Sequence, residues 1–484
     1  MIDKILSKIN RFYSRKGSEW GSGGIFGLKY YKETLYFTLA FEAEAHFITG
    51  EDEIVYTFDK VGSKPVSGGD TYNAIETVDD KIYFGGWVHA PVKFLRKGVI
   101  SFENKFSHVH EYDVSEGKIK LLWKESIHDL EKWTGEVSEI IYDPVNDRLL
   151  LARGDGHVNL GVYCLDRKKG DIKQLLNRPS LKGTLFHDIA CFNIGSLTET
   201  EAIACLDLLD SRWHVKELGD YSRFSVDSGS VEHPMLASIT SAYNRVFVFT
   251  KGGVIIYNPY MDDAVFVRLF DFGKSGYGPL RTQILHYGGG ILVPFNALTH
   301  ASITPSNVFE ESLNTLVGPS VLVYITPSTA RIVASFGSRI TGLEILGDKL
   351  LIASNTQPNL TGNMPATFFD SGIKTIIPIS VNEVLRGGPP ITFEISGSSV
   401  NNELWGGIPL LGYKEPKLII YSSKENVLEV KSYSLTLNQA EAYTTKYSIT
   451  QGRNILDLSS YSGEIVSFRF EKGDAESITR FVLT

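Results

Sequence analysis

Three histidines stand at comparable places just after three apolar, strand-like runs. Phe41-Glu-Ala-Glu-Ala-His46, Gly85-Gly-Trp-Val-His89 and Arg153-Gly-Asp-Gly-His157 carry them. Neutral imidazoles gathered from separate strands, with Glu44 as an added oxygen donor, would suit Fe(II), Mn(II) or Zn(II). Such an ion could polarise a substrate oxygen or activate a water. Taken singly, each histidine would serve equally well to cap a strand end through a backbone hydrogen bond. A second polar set lies close by in sequence. Glu136, Glu139 and His128, with Arg153, are candidate catalytic residues, because glutamate and histidine in reach of each other can divide the roles of acid and base once burial tunes their pKa values. Trp87, Lys105, His108, Asp155 and His187 are the accompanying candidates for contact with a small polar substrate. Solvation of a surface accounts for part of this set as readily. Of the 11 histidines, all but His233, His286 and His300 precede residue 215, so one half of the chain looks chemically equipped.

Residues this far apart in sequence meet only if the elements carrying them repeat around a common centre. The chain does repeat. Val109–Lys120 superimposes on Val162–Lys173, with Val, Asp, Gly, Ile and Lys coinciding around an Asp-x-x-x-Gly turn. A turn residue followed by an apolar run marks each unit, at Glu33–Thr38, Asp80–Gly85, Asp147–Ala152, Glu201–Leu206, Asn244–Phe249, Gly290–Val293 and Asp348–Ala353. The step is about fifty residues, which suits a four-stranded propeller blade. A hairpin unit of this kind cannot bury its apolar face alone and must stack on copies of itself. No stretch of the repeat shows sustained helical spacing. The expectation is an all-β chain: a seven-bladed β-propeller over residues 21–396, a small C-terminal antiparallel β module over 397–484 and an amphipathic N-terminal helix within 1–20. An eight-bladed ring is the alternative. The C-terminal module could lend a strand back to the first blade. In the N-terminal helix Ile2, Ile5, Leu6, Ile9 and Phe12 share a face, and the expectation is that this face docks on the chain's own domain rather than on a membrane.

With 484 residues, 43% of them hydrophobic, the chain can bury a large core. No apolar run is long enough for a membrane span, and lysines and arginines interrupt the N-terminus where a secretory signal would be apolar. A cytoplasmic location follows as the expectation. A net charge of −8 speaks against nucleic acid as a partner. Cys164, Cys191 and Cys205 are odd in number and lack CxxC spacing, so they are expected to be reduced core residues. Gly21–Gly27 fails as a dinucleotide fingerprint, since Phe26 takes the last glycine position and a strand follows. Ser225–Gly229 starts like the Asp-box turn of sialidase-like propellers but occurs once, and reads as a turn.

The strings Glu19–Leu28, Phe41–Phe47, Tyr83–Pro91 and Tyr142–Arg153 resemble an archaeal family known only as a domain of unknown function. The resemblance covers the propeller region and leaves out the final module. It implies an archaeal cytosolic protein and supplies no activity, so no catalytic residue carries over. From the residues alone, two functions compete. One is an axial pocket binding a small polar ligand, with a metal-dependent lyase, hydrolase or oxidase as the enzymatic form. The other is a protein-interaction platform anchored by Trp20, Trp87 and Trp133.

Overall fold

The computed structural model describes residues 1–9, 11–13, 24–40, 42–58, 61, 69–70, 73–89, 92–96, 99–102, 105–129, 131–196, 199–229, 236–274, 277–297, 316–358, 373–435 and 442–484. The Asp-x-x-x-Gly repeat is a hairpin turn. Asp113 Oδ1 accepts the N–H groups of Ser115 and Glu116, and Asp166 Oδ1 those of Lys168 and Lys169. Gly117 and Gly170 then adopt φ of 64° and 78°, a region that costs glycine little. Asp207 and Asn258 make the same turn, with Ser211 and Asp262 in the left-handed position instead of glycine.

These turns join strands into antiparallel sheets. Residues 25–57, 139–176, 183–217 and 236–268 each form a four-stranded meander in chain order. In the second sheet (69–125) and the sixth (277–336), the first strand is broken in two: Gly69–Asp70 and Ile75–Val78 in one, Tyr277–Gly278 and Leu285–Tyr287 in the other. Inner strands such as Thr34–Leu39 and Gly253–Asn258 are buried along their whole length, because sheets cover both of their faces. They therefore read as continuous apolar runs, whereas an outer strand such as Glu53–Thr57 alternates between exposed and half-buried.

The chain returns on itself. The last sheet of the series runs Ser338–Leu346, Lys349–Pro358, Ile373–Ser380, and its outermost strand is Arg11–Tyr13 from the other end of the chain, Arg11 opposite Thr375. The inner strand Ser338–Leu346 packs against Ile25–Tyr31 of the first sheet. Glu344 ties that junction, its carboxylate accepting the N–H groups of Ile345 and, at 3.0 Å, Tyr30. Glu76 does the same between the second and third sheets through Thr77 and Tyr142. The helix Ile2–Lys8 fills the corner, burying Ile5 and Ile9 among Ile25, Phe37, Leu346 and Ile376. The arrangement is all-β and propeller-like, with 60% strand and 6% helix among the described residues.

Residues from 391 onward form two facing sheets, ordered Leu316–Val317, Ile391–Ser396, Ile478–Leu483, Lys417–Ser422, Gly452–Asp457 and Trp405–Pro409, Ile465–Phe470, Asn426–Tyr433, Tyr443–Ile449. Their core (Phe393, Trp405, Phe468, Phe481) runs on without a break into Phe270, Phe272 and Phe295 of the fifth and sixth sheets. Arg268 sits fully buried at this seam, its Nε 2.8 Å from Asp227 and its Nη1 on Asp271. Tyr433 donates to the Arg268 carbonyl at 3.1 Å and Lys431 to that of Asp227 at 2.7 Å. The Ser225–Gly229 turn thus presents Asp227 to Arg268.

Four expectations change. Glu201–Leu206 belongs to the third strand of its sheet; the equivalent second strand is Ile189–Gly195, entered through the His187-Asp188 turn. Ile391–Ser396, placed in the repeat by sequence, pairs with Ile478–Leu483. The strand that completes a sheet of the repeat comes from the N-terminus and not from the C-terminal residues. Cys191 and Cys205 form a disulfide, because the register of adjacent strands sets them directly opposite each other, and only Cys164 is free.

Candidate functional site

In a meander, the starts of the first and third strands and the ends of the second and fourth share one end of the sheet. Glu136, Glu139 and Lys182 stand at first-strand starts, Lys105 at a third-strand start and Asp155 just past a second-strand end. The breaks in the second and sixth sheets fall at this same end. There Asn73, Leu280 and Arg281 hold φ values of 64°, 50° and 64°, a conformation that costs a non-glycine residue on the order of 1–3 kcal/mol and concentrates at functional sites. The Asn73 side chain accepts Gly27 N–H at 2.8 Å and donates to the carbonyls of Arg281 (3.2 Å) and Thr341 (3.4 Å). One amide therefore links four sheets. Gln283 donates to the carbonyls of Leu28, at 3.0 Å, and Leu343. These bonds fix the segment 279–283 against the first, second and last sheets.

The result is a convergence of charge. Arg281 lies 3.8 Å from Glu136 Oε1 and 3.7 Å from Asp155 Oδ2, while Lys105 Nζ lies 3.8 Å from Glu136 Oε2 and 3.9 Å from Asp155 Oδ1. Each cation faces both carboxylates. Lys105 also sits over the rings of Trp87 (4.3 Å) and Trp133 (5.3 Å), a cation–π wall on one side. Lys182 meets Glu139 at 3.2 Å next to this group. Glu136 is fully buried, while the side chains of Arg281, Glu139 and Asp155 keep 12–18% of their surface exposed, so the cluster is reached from outside.

Burial pushes the Asp155 carboxyl up, but Lys105 and Arg281 outweigh it and hold the group below its ordinary value. Glu139 goes the other way: burial, only partly opposed by Lys182, raises it to about 7. Burial also lowers Lys182. Between the ordinary Glu139 value of 4.5 and about 7, the folded chain holds a proton that the unfolded chain has released. Stability from this group is therefore greatest below the lower value and declines as pH rises through the window, by at most about 3 kcal/mol. Glu139→Gln should remove that slope, read as the difference between the variant's urea unfolding curves and the parent's at about pH 5 and about pH 7.

Of the residues singled out in the sequence, Trp87, Lys105, Glu136, Glu139 and Asp155 come together here. The others do not. Arg153 is fully buried but turned away, donating to Gly135 O (3.0 Å) and Thr134 Oγ1 (2.6 Å), paired with Glu125 and flanked by Trp123 and Tyr163. It clamps two sheets. His128 is exposed at the edge of Phe106. His46 bonds Glu53 at 2.9 Å, lies 3.5 Å from Glu44 and stacks on Phe37. His157 packs on Trp133 and its Nδ1 accepts the Trp133 backbone N–H, and the His89 side chain lies outside the described residues. No group of three or more His, Cys, Asp or Glu able to hold a metal occurs among the described residues. His46 and His157 diverge because His46 lies within a third strand, facing the outermost one, while His157 lies on a loop. His108 is a core residue whose pKa burial lowers to about 3, bonded to His110 at 3.1 Å. His187 occupies a hairpin turn and bonds Asn244 at 2.8 Å.

Asn73, Lys182, Arg281 and Gln283 escaped the sequence reading. Lys182 precedes its first strand as Glu136 and Glu139 precede theirs, but the misplaced fourth marker hid the correspondence. Arg281 carried no local signal, since it lies where a first strand is interrupted.

No helix among the described residues is long and apolar enough to cross a membrane. No curated protein matches the chain. Solved structures to which it is similar include "Streptogramin B lyase structure", at 10% identity and TM-score 0.40 over 76% of this chain and 98% of that one. Another is the β-propeller domain of the trilobed protease from Pyrococcus furiosus, at 10% identity and TM-score 0.37 over 69% and 92%. A third is dipeptidyl peptidase 4 of Porphyromonas gingivalis, at 10% identity and TM-score 0.35 over 84% and 59%. The family model "Uncharacterized protein conserved in archaea (DUF2139)" matches residues 35–363, more than half of the chain, and the protein belongs to that family.

Proposed function

We propose that the sheets of residues 11–380 are seven blades around an axis, and that the pocket at their charged end binds a small polar ligand. One observation carries this reading: Lys105 and Arg281 face Glu136 and Asp155 at 3.7–3.9 Å, too far for direct hydrogen bonds. Polar groups held apart at that distance are commonly bridged by water, which the polar groups of a ligand can replace. A ligand carrying both donor and acceptor groups matches the two cations and two carboxylates, with Trp87 and Trp133 covering its flank, and it meets in Glu139 a carboxyl poised near neutrality for acid–base chemistry. Metal-dependent turnover gains little support, because the carboxylates of the cluster already face two cations. The platform reading draws less support from Trp87 and Trp133, which are half-buried against Lys105, while Trp20 lies outside the described residues and speaks neither way. The C-terminal unit is best drawn from Ile391, and a cytoplasmic location remains compatible with the disulfide in archaea whose intracellular proteins carry such bonds.

The test is a thermal-shift screen against amino acids, hydroxy acids and oxo acids, followed by calorimetry. A stabilising compound should bind Glu136→Gln and Asp155→Asn at least about tenfold more weakly, the loss expected for one charge-assisted hydrogen bond. Unchanged affinity in both variants would place its site elsewhere.

A further inference from the structure

Buried lysines are rare, and Lys182 is 3% exposed at its side chain, with Glu139 as its near partner and Arg281 close enough to act on it electrostatically. An ion pair that served only to join two sheets would gain more from apolar packing of the same volume. Here the pair opens instead onto the axial cluster, through the partly exposed Glu139. The positions suit carbonyl chemistry, which needs an amine beside an acid–base group. We propose that Lys182 is a nucleophilic amine that condenses with the carbonyl of a small oxo acid, with Glu139 as its proton acceptor and donor; this rests on the axial-binding reading.

The step balances without a redox partner. Lys182 gives a proton to Glu139, and its free Nζ attacks the carbonyl carbon. The nitrogen, positively charged after attack, passes one of its protons to the alkoxide oxygen; Glu139 returns its proton to the resulting hydroxyl, and water leaves as the protonated imine forms. Arg281, a planar donor beside the amine, suits the carboxylate of the same molecule. Desolvation favours this direction of proton sharing, since burial lowers the lysine and raises the glutamate. Lys105 is the less apt nucleophile. Two indoles and two carboxylates already engage its ammonium group.

The experiment incubates the full chain with pyruvate and sodium cyanoborohydride, which reduces imines, and locates the adduct by peptide mass mapping. The expected result is modification at Lys182 ahead of every surface lysine. It should be lost in Lys182→Arg, which keeps a cation opposite Glu139, and slowed by about a hundredfold in Glu139→Gln, which keeps the amine but removes the acid–base group. Adducts spread over surface lysines with Lys182 unmodified overturn the proposal. If pyruvate stabilises the parent chain but not Glu136→Gln, and yet leaves Lys182 unmodified, the nucleophile falls while the axial-binding reading stands. If pyruvate neither binds nor reacts, the oxo-acid proposal falls, and the compound screen judges the binding reading separately.

Discussion

Arg268→Leu should lower the free energy of unfolding by about 3–5 kcal/mol, the cost of removing one partner from a buried ionic group and leaving the others unpaired. Asp227 and Asp271 both meet this guanidinium, and Asp227, like Arg268, is fully buried. Burial pushes both carboxyls up, and Arg268 overcomes that push only for Asp227. Without the arginine both would have to take up protons or draw in water. The loss should be largest near neutral pH and shrink in acid, where Asp271 is protonated first. The seam between the fifth sheet and the C-terminal unit hangs on the same group, because Tyr433 donates to the Arg268 carbonyl and the backbone of Phe270 and Asp271 pairs with Gly407 and Gly406. Urea unfolding measures the change. A loss below about 1 kcal/mol would mean that the triad behaves as a solvated surface pair.

The second large effect concerns closure of the repeat. Ile5→Ala and Ile9→Ala should each cost about 2–5 kcal/mol, the range for emptying a buried aliphatic position. Both side chains are essentially inaccessible, in one cluster with residues of the first and last sheets. Because they share that cluster, the double variant should depart from the sum of the singles. The strand Arg11–Tyr13 follows this helix, so its loosening should free the edge of Ile373–Ser380. Hydrogen exchange at Ile373, Lys374 and Thr375 should quicken in the double variant while the meander of residues 139–176 stays protected. Equal acceleration in both places would show that the chain opens as one unit instead of unlatching at this junction.

The repeat was legible in the residues because its signals are local. An aspartate that caps a tight turn must accept N–H groups two and three positions on, and the fifth position must turn left-handed, so Asp113 to Gly117 and Asp166 to Gly170 had to look alike. Strands covered on both faces had to be continuously apolar, which made Thr34–Leu39 and Arg245–Thr250 stand out. Five of the residues chosen for chemistry reached the cluster for a related reason. Polar side chains at strand starts beside apolar runs are costly to bury unless they meet partners, and Glu136, Glu139, Lys105, Asp155 and Trp87 do.

What no local pattern carried was register and closure. Cys191 faces Cys205 only because two strands are offset by a particular amount, and a one-residue slip would have turned both aside. The three histidines stood at similar distances past their markers, yet His46 ended up among Phe12, Phe37 and Glu53, since loop lengths decide whether an equivalent position still lies in a strand. Composition and turn chemistry by themselves determined an all-β repeat of hairpin units with one end rich in charge. Tertiary structure alone decided that Arg281 meets Glu136 and Asp155, because that contact depends on Asn73 and Gln283 bonding backbone groups hundreds of residues away, and sequence neighbours exert no force over such a separation.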